Sequence, residues 1–402
     1  MSEKRLSKER LVLKKGESWK TGRDLYQYRW TDDNGKRHYI YAKNIKTLRE
    51  KEKEINKNIA NNMNPDSINK SLNDIYYLWR ATKKGLRQTT LKGYVSLYER
   101  HVLNSDFGKK PISKIKKSDI KLFYNKLHDD NGIKVSTIGA LHSVIHQIMQ
   151  LAVEDDYITH NPSNGIVSEL RRNNADEINK KKALTIEEEK AFLLYVQDNQ
   201  RYKRWYPLFK VLLGTGMRIG EALGLRWEDI DMNNNTINID HTLLYVVDLK
   251  SGKCESHVNP AKTLSSNRII YMQDDVKEAF LLEKERQDMI GIKSKSVVDG
   301  YSNFVFINRF GGCYKCHGIN LVIKGLVNSY NETHEDKLPY FSCHTMRHTF
   351  ATRLCEAGVN IKAIQDTLGH SDINITMNVY TDCTQKLRED SIKQLENFYA
   401  TH

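Results

Sequence analysis

The spacing of apolar residues changes twice along this 402-residue chain, which rules out one repeated structural unit and points to three successive domains. From Leu25 to Trp30 the pattern alternates. A strand there puts Tyr26, Tyr28 and Trp30 on one face and Leu25, Gln27 and Arg29 on the other. After the turn Asp32–Gly35, a second strand over 36–42 divides His38, Ile40 and Ala42 from Arg37, Tyr39, Tyr41 and Lys43. Leu48, Ile55 and Ile59 mark one side of a helix that can cover the apolar face. From about 66 to 165 the spacing is helical, as in Leu72, Ile75, Tyr76 and Trp79, and again in Ile138, Leu141, Ile145, Ile148 and Ala152. Asn161-Pro162 closes this unit, because the residue before a proline avoids helix. Residues 166–182, with Arg171, Arg172 and Lys180–Lys182, read as an exposed basic linker. Thr185 and Glu188 then fit a capping box that opens a third domain over 183–402.

Charge follows the same divisions. Residues 1–62 hold 17 Lys+Arg against 9 Asp+Glu, and 63–182 hold 20 against 13. Residues 183–402 hold 26 against 28, so the excess behind the net charge of +13 lies in the first two segments. A polyanionic partner is expected there, since non-specific DNA affinity comes from neutralising phosphates. The polar face of the first sheet (Gln27, Arg29, Arg37, Tyr39, Tyr41, Lys43) has the composition of a sheet entering a DNA groove, or of a merely solvated face. In the helical segment Lys83, Lys84, Arg87 and Lys92, with Lys109 and Lys110, are candidate phosphate contacts. A mean hydropathy of −0.63 and the lack of any long apolar run argue against membrane insertion. The Lys- and Glu-rich start is unlike a secretory signal, and six unevenly spaced cysteines form no disulfide framework, so a cytoplasmic location is expected.

Four motifs in the third segment carry chemistry. In Gly214-Thr215-Gly216-Met217-Arg218, glycines permit a tight turn that leaves Arg218 near the start of a short helix, a place suited to phosphate. In the stretch from Pro260 to Ile270, polar turn residues between extended segments read as a hairpin with Lys262 just before its turn. In His344-Thr345-Met346-Arg347, His344 and Arg347 share a helical face. The run Leu368-Gly369-His370-Ser371-Asp372 leads to Thr376 and Tyr380, with Asp372 able to cap the helix that carries the tyrosine. Taken singly, each of these is ordinarily structural. The stretch Cys313-x-x-Cys316-His317 lacks the four ligands of a closed zinc site and reads as a loop insertion without a role.

In this order the four motifs resemble the tyrosine recombinase (integrase) family, whose signature is an Arg, a Lys, a His-x-x-Arg, a second His and a nucleophilic Tyr. The matching positions are Arg218, Lys262, His344, Arg347, His370 and Tyr380. The resemblance implies a multidomain α+β chain: an arm-site DNA-binding domain of small sheet plus helix (1–62), a helical core-site-binding domain (66–165), and a mainly helical catalytic domain with a small sheet. Integrases of conjugative transposons are the most similar in layout. What it implies chemically is DNA cleavage and rejoining through a 3′-phosphotyrosyl intermediate, with neither ATP nor a metal. Arg218 and Arg347 would stabilise the phosphate, Lys262 would protonate the 5′-oxygen, His344 would assist proton transfer and His370 would hydrogen-bond the phosphate. Implied partners are double-stranded DNA with core and arm sites, three further copies in a tetramer, and an excisionase or host DNA-bending protein. A type IB topoisomerase, which uses similar residues, and a catalytically silent DNA-binding regulator are the alternatives. The separate N-terminal DNA-binding unit and the close motif match argue against the first, and the complete set of six residues against the second. The apolar set Leu387, Ile392, Leu395, Phe398 and Tyr399 in a charged tail is expected to dock on a neighbouring subunit.

Overall fold

The structure, a computed structural model, describes residues 12–31, 35, 37–60, 70–86, 88–173, 183–247, 254–260, 267–382 and 399. For residues 58–60, 88, 247, 378 and 380–382 it describes the backbone alone. Lys262, Arg87 and the tail through Phe398 lie outside the described residues. The chain divides into two compact units, Met1–Asn179 and Lys180–His402.

The first unit opens with an antiparallel sheet in the order β1 (Glu17–Lys20), β2 (Leu25–Thr31), β3 (Arg37–Ala42), followed by α1 (Ile45–Ala60). As the alternation requires, Tyr26, Tyr28, Trp30, Ile40 and Ala42 are buried against Leu48 and Ile55 of α1. Strand β1 was not expected from sequence. Its four residues Glu-Ser-Trp-Lys carry one apolar side chain, too few to alternate visibly. It is held instead by Glu17, which is buried with its carboxylate accepting from Arg49 Nε at 2.9 Å and from the Lys14 backbone at 2.7 Å.

A second core follows, built from α2 (Leu72–Thr82), α3 (Gln88–His101), α4 (Asp106–Lys109), α5 (Lys117–Asp129), α6 (Val135–Glu154) and α7 (Ile166–Asn173). Ser71 and Asp74 cap α2 reciprocally, and the apolar stripes of α2 and α6 form the centre. The expected linker from 166 onward is corrected by α7. Asn161 turns the chain by accepting from the Ser163 backbone and hydroxyl, and a further helix buries Ile166 and Leu170 in this core. With only two buried apolar residues beside Arg171 and Arg172, that helix has no clear period in the sequence.

In the second unit, Thr185 and Glu188 form the expected capping box at the start of α8 (Ile186–Asp198). Next come α9 (Tyr206–Thr215), α10 (Ile219–Gly224), strands β4 (Ile230–Asp231), β5 (Thr236–Ile239), β6 (His241–Val247), β7 (Cys254–Pro260) and β8 (Arg268–Tyr271), then α11 (Asp274–Met289). The chain ends with α12 (Cys316–Thr333), α13 (Cys343–Glu356), α14 (Ile361–Leu368) and α15 (Ile373–Asp382). Strand β7 pairs with β6, whereas β8 pairs with β5 in a sheet of order β4-β5-β8. Residues 261–266 therefore connect two sheets, and the hairpin read from sequence is not formed between these strands. Cys313 and Cys316 pack against the main core, with Cys316 opening α12, so the stretch is a packed part of the fold and not a free loop. Burial raises both thiols, and raises buried Cys343 to about 12, which suits packing groups and not nucleophiles or metal ligands.

Gly216 ends α9 in the left-handed region at φ +62, where a Cβ would meet Phe350 at 2.4 Å and Leu368 at 2.8 Å. Gly216→Ala is expected to destabilise the protein by about 1–3 kcal/mol, from the backbone strain and the overpacking together. Urea unfolding measures this, and a loss below about 0.5 kcal/mol would contradict the close approach.

Candidate active site

The turn at Gly216 makes Arg218 the N-cap of α10, as the glycines suggested. Its backbone N–H donates to Glu221 Oε2 at 2.9 Å and its Nη1 to Glu221 Oε1 at 2.8 Å. Glu221 is 6% exposed and meets a second cation, Arg268 at the start of β8, whose Nη2 donates to Oε2 at 2.8 Å. Burial alone would raise the Glu221 carboxyl, but the Arg268 hydrogen bonds and charge, followed by Arg218, bring it down to about 2.

These arginines converge on one helix end. Helix α14 stops at Leu368, with Gly369 in the left-handed conformation. Thr367 O accepts from Arg268 Nε at 2.7 Å, Leu368 O from Arg347 Nη2 at 2.6 Å, and Gly369 O from Arg218 Nη2 at 3.1 Å. Terminal helix carbonyls lack partners within the helix and carry its negative end, so each arginine satisfies an acceptor while holding its own plane fixed. Arg347, on α13 and 3% exposed, also donates from Nη1 to Gly216 O at 2.8 Å. Burial, then the Arg218 charge, lowers its pKa to about 9, and it stays cationic at neutral pH. The described bonds of Arg218 and Arg347 use two N–H groups of each guanidinium, which carries five.

His370 follows directly and is 9% exposed. Its carbonyl accepts from Gln365 Nε2 at 3.0 Å and its Nδ1 lies 2.9 Å from the hydroxyl of Thr376. Burial, then Arg347, Arg218, Arg268 and His344, bring its imidazole down to about 4, so it is neutral at pH 7. His344 lies exposed in the first turn of α13, three residues before Arg347. Asp372 accepts from the Asn374 backbone at 2.9 Å and so begins α15, the helix that contains the Tyr380 position. The structure thus brings together Arg218, Arg347 and His370, with His344 close enough to act on the His370 charge. The sequence reading missed Glu221 and Arg268 as partners, although the three-residue spacing from Arg218 to Glu221 was a signal available to it.

Among the candidate DNA contacts, Arg29, Arg37, Tyr39, Tyr41 and Lys43 are exposed on the outer sheet face. Gln27 is not an exposed member of that face: at 5% exposure it is enclosed between Ser18 and Tyr41 on the neighbouring strands. Lys84 and Lys92 are exposed, Lys83 lies over the Trp79 ring at 5.5 Å, and Lys110 pairs with Asp119 at 2.7 Å. One trio has metal-ligand composition among the described residues, namely Asp229, Asp240 and His241. Asp229 is already forked by Arg226 and His241 donates from Nε2 to Gly224 O at 2.7 Å, so the trio is an ion-pair group that ties β6 to α10.

A depressed histidine pKa makes stability depend on pH in a defined direction. Between pH 6.5 and about 4 the unfolded chain binds the His370 proton and the folded one does not, so this contribution is present above 6.5 and lost as pH falls through that window. Glu221 loses its share lower, between 4.5 and about 2. Urea unfolding from pH 7 to 4.5 is expected to show a steeper decline in the wild type than in His370→Gln, by at most ~1.4 kcal/mol per pH unit. Parallel slopes would mean that His370 titrates normally.

Known protein families match all three segments of the chain. The phage integrase family matches residues 182–386, the DNA-binding domain of Tn916 integrase matches 1–59, and the N-terminal SAM-like domain of phage integrases matches 71–128. The transposase from transposon Tn916 of Enterococcus faecalis is 32% identical over 401 residues, covering 96% of this chain and 95% of the relative. That from transposon Tn1545 of Streptococcus pneumoniae is equally similar, with the same coverage. The solved structure of the Tn1549 transposon integrase in complex with a circular intermediate DNA superposes with a TM-score of 0.73 at 30% identity, over 81% of this chain and 99% of that one. A lambda integrase tetramer bound to a Holliday junction shares the fold at 15% identity, with a TM-score of 0.52 over 90% of this chain and 94% of that one. This chain belongs to the phage integrase family, the tyrosine recombinases that cleave and rejoin DNA strands.

Proposed function

We propose that this protein integrates and excises a mobile element by site-specific recombination, with Tyr380 as the nucleophile. The observation that carries the reading is the group of cations at the end of α14: Arg218 and Arg347, oriented by consecutive carbonyls, beside a neutral His370. A phosphodiester resists attack because its charge repels nucleophiles and its alkoxide leaves poorly. Fixed guanidinium groups answer the first difficulty, since their remaining N–H donors stabilise the charge on the non-bridging oxygens in the transition state. Tyr380 Oη attacks phosphorus and forms the 3′-phosphotyrosyl bond as the P–O5′ bond breaks. His344 takes the phenolic proton, and Lys262 gives a proton to the departing 5′-oxygen. Attack by a 5′-hydroxyl from the exchanged strand reverses these steps and reseals the backbone. The bond energy is kept in the phosphotyrosine throughout. Double-stranded DNA is bound at core sites by the helical domain and at arm sites by the basic, aromatic sheet face, in a tetramer of the chain. The match of residues 1–59 to an integrase DNA-binding domain favours recombination over simple relaxation.

A nicked duplex carrying the recombination site tests the nucleophile. Tyr380→Phe is expected to bind this DNA within about three-fold of wild type while forming no covalent adduct, because only the phenolic oxygen is lost. An adduct of normal yield would move the nucleophile to another residue.

Deleting residues 1–62 is expected to abolish binding to arm-site DNA while core-site cleavage continues. Gel-shift titrations with the two kinds of site read this out. Equal loss at both would make the segment a general electrostatic anchor.

A further inference from the structure

Thr376 is outside the six-residue signature, yet it is wholly buried and its hydroxyl lies 2.9 Å from His370 Nδ1. It is also four residues, about one helical turn, before the Tyr380 position on α15. The bond can be made in two ways. If the hydroxyl accepts from Nδ1–H, the other ring nitrogen is bare and turns a lone pair outward. If it donates to a bare Nδ1, the hydrogen sits on Nε2. The choice decides what a neutral ring can offer an anion, because a bare nitrogen repels a phosphate oxygen and an N–H binds it.

We propose that Thr376 is a positioning residue that donates its hydroxyl hydrogen to His370 Nδ1, fixing the ring as the Nε2–H tautomer so that it presents a donor to a phosphoryl oxygen. The proposal rests on the cleavage reading above for its phosphate, but not for its tautomer. Thr376 is wholly buried, and His370 Nδ1 is the one partner of its hydroxyl among the described residues. A hydroxyl that accepted there would leave its own hydrogen buried without an acceptor, so donation is favoured. Burial and the surrounding Arg347, Arg218 and Arg268 keep the imidazole uncharged, so the ring cannot serve as a donor at both nitrogens. Its backbone is also fixed, by Gln365 on the His370 carbonyl and by the left-handed Gly369 before it, so rotation of the ring about its own bonds is the freedom that remains for the hydroxyl to remove. The same hydrogen bond ties α15 to the residue after α14, beside the apolar packing of Val379 with Ile364 and Leu368. It so adds a polar contact that registers the helix containing the nucleophile position against the arginine group.

The experiment uses the full chain, ¹⁵N-labelled at histidine, as wild type, Thr376→Val and Thr376→Ser. Long-range ¹H–¹⁵N NMR without DNA reads the His370 tautomer, assigned by the signal lost in His370→Gln. Cleavage of the nicked duplex at saturating DNA reads the rate. Wild type and Thr376→Ser are expected to show Nε2–H, and Thr376→Val a mixture of tautomers. Cleavage is expected to fall about ten-fold in Thr376→Val, the worth of one hydrogen bond, with DNA affinity unchanged and the rate restored by Thr376→Ser. An Nδ1–H signal in wild type overturns the proposal, as does a wild-type tautomer and rate in Thr376→Val. A Thr376→Ser variant as slow as Thr376→Val overturns it too, by placing the effect in the lost methyl packing. A wild type that forms no adduct would refute the cleavage reading instead, while the tautomer signal still decides the role of Thr376.

Discussion

Three consecutive carbonyls at the C-terminal end of α14, each bound by a different arginine, hold the active region together. The arginines come from β8, α13 and the start of α10, segments far apart in sequence. Like charges so close repel strongly at low dielectric, and two things make their assembly stable. One is the negative end of the helix, which supplies an acceptor to each guanidinium. The other is buried Glu221, which shares its carboxylate between Arg218 and Arg268. Removing Glu221 would leave two neighbouring cations without their counter-charge, the costly way to break a buried pair.

The division of labour in the chain follows from where charge is needed. The catalytic segment carries about as many acids as bases overall, so its arginines act as a local field and not as a general attraction for DNA. The excess of positive charge lies in the first 182 residues, where exposed lysines and the outer face of β2 and β3 are available to a polyanion. The proposed function thereby assigns reaction and capture to different parts of the chain.

Much of this was legible in the sequence because the information was local. The Gly216 turn, the capping boxes, the alternation over Tyr26, Tyr28 and Trp30, and the Asp372 cap each depend on residues within a few positions. What was not legible depends on distant partners. Nothing near Arg347 announces that its guanidinium will meet Gly216 O, 131 residues away, nor does Arg268 reveal Glu221, 47 residues earlier. Strand pairing failed for the same reason: β7 and β8 look like two arms of a hairpin, and only the register shows that each has another partner. Strand β1 and helix α7 were missed because one or two core-facing residues cannot establish a period.

The separation of β7 from β8 has a consequence for how the segment between them tolerates change. In a hairpin, loop length sets strand register, and one inserted residue can turn every side chain to the wrong face. Here the register of β7 is set by β6 and that of β8 by β5, while Arg268 anchors the far end on Glu221 and Thr367. An insertion or deletion within 261–266 therefore leaves the register of both strands to their own partners. The length of this connection is thus set by what Lys262, the proposed proton donor, must reach and not by the pairing of the strands on either side.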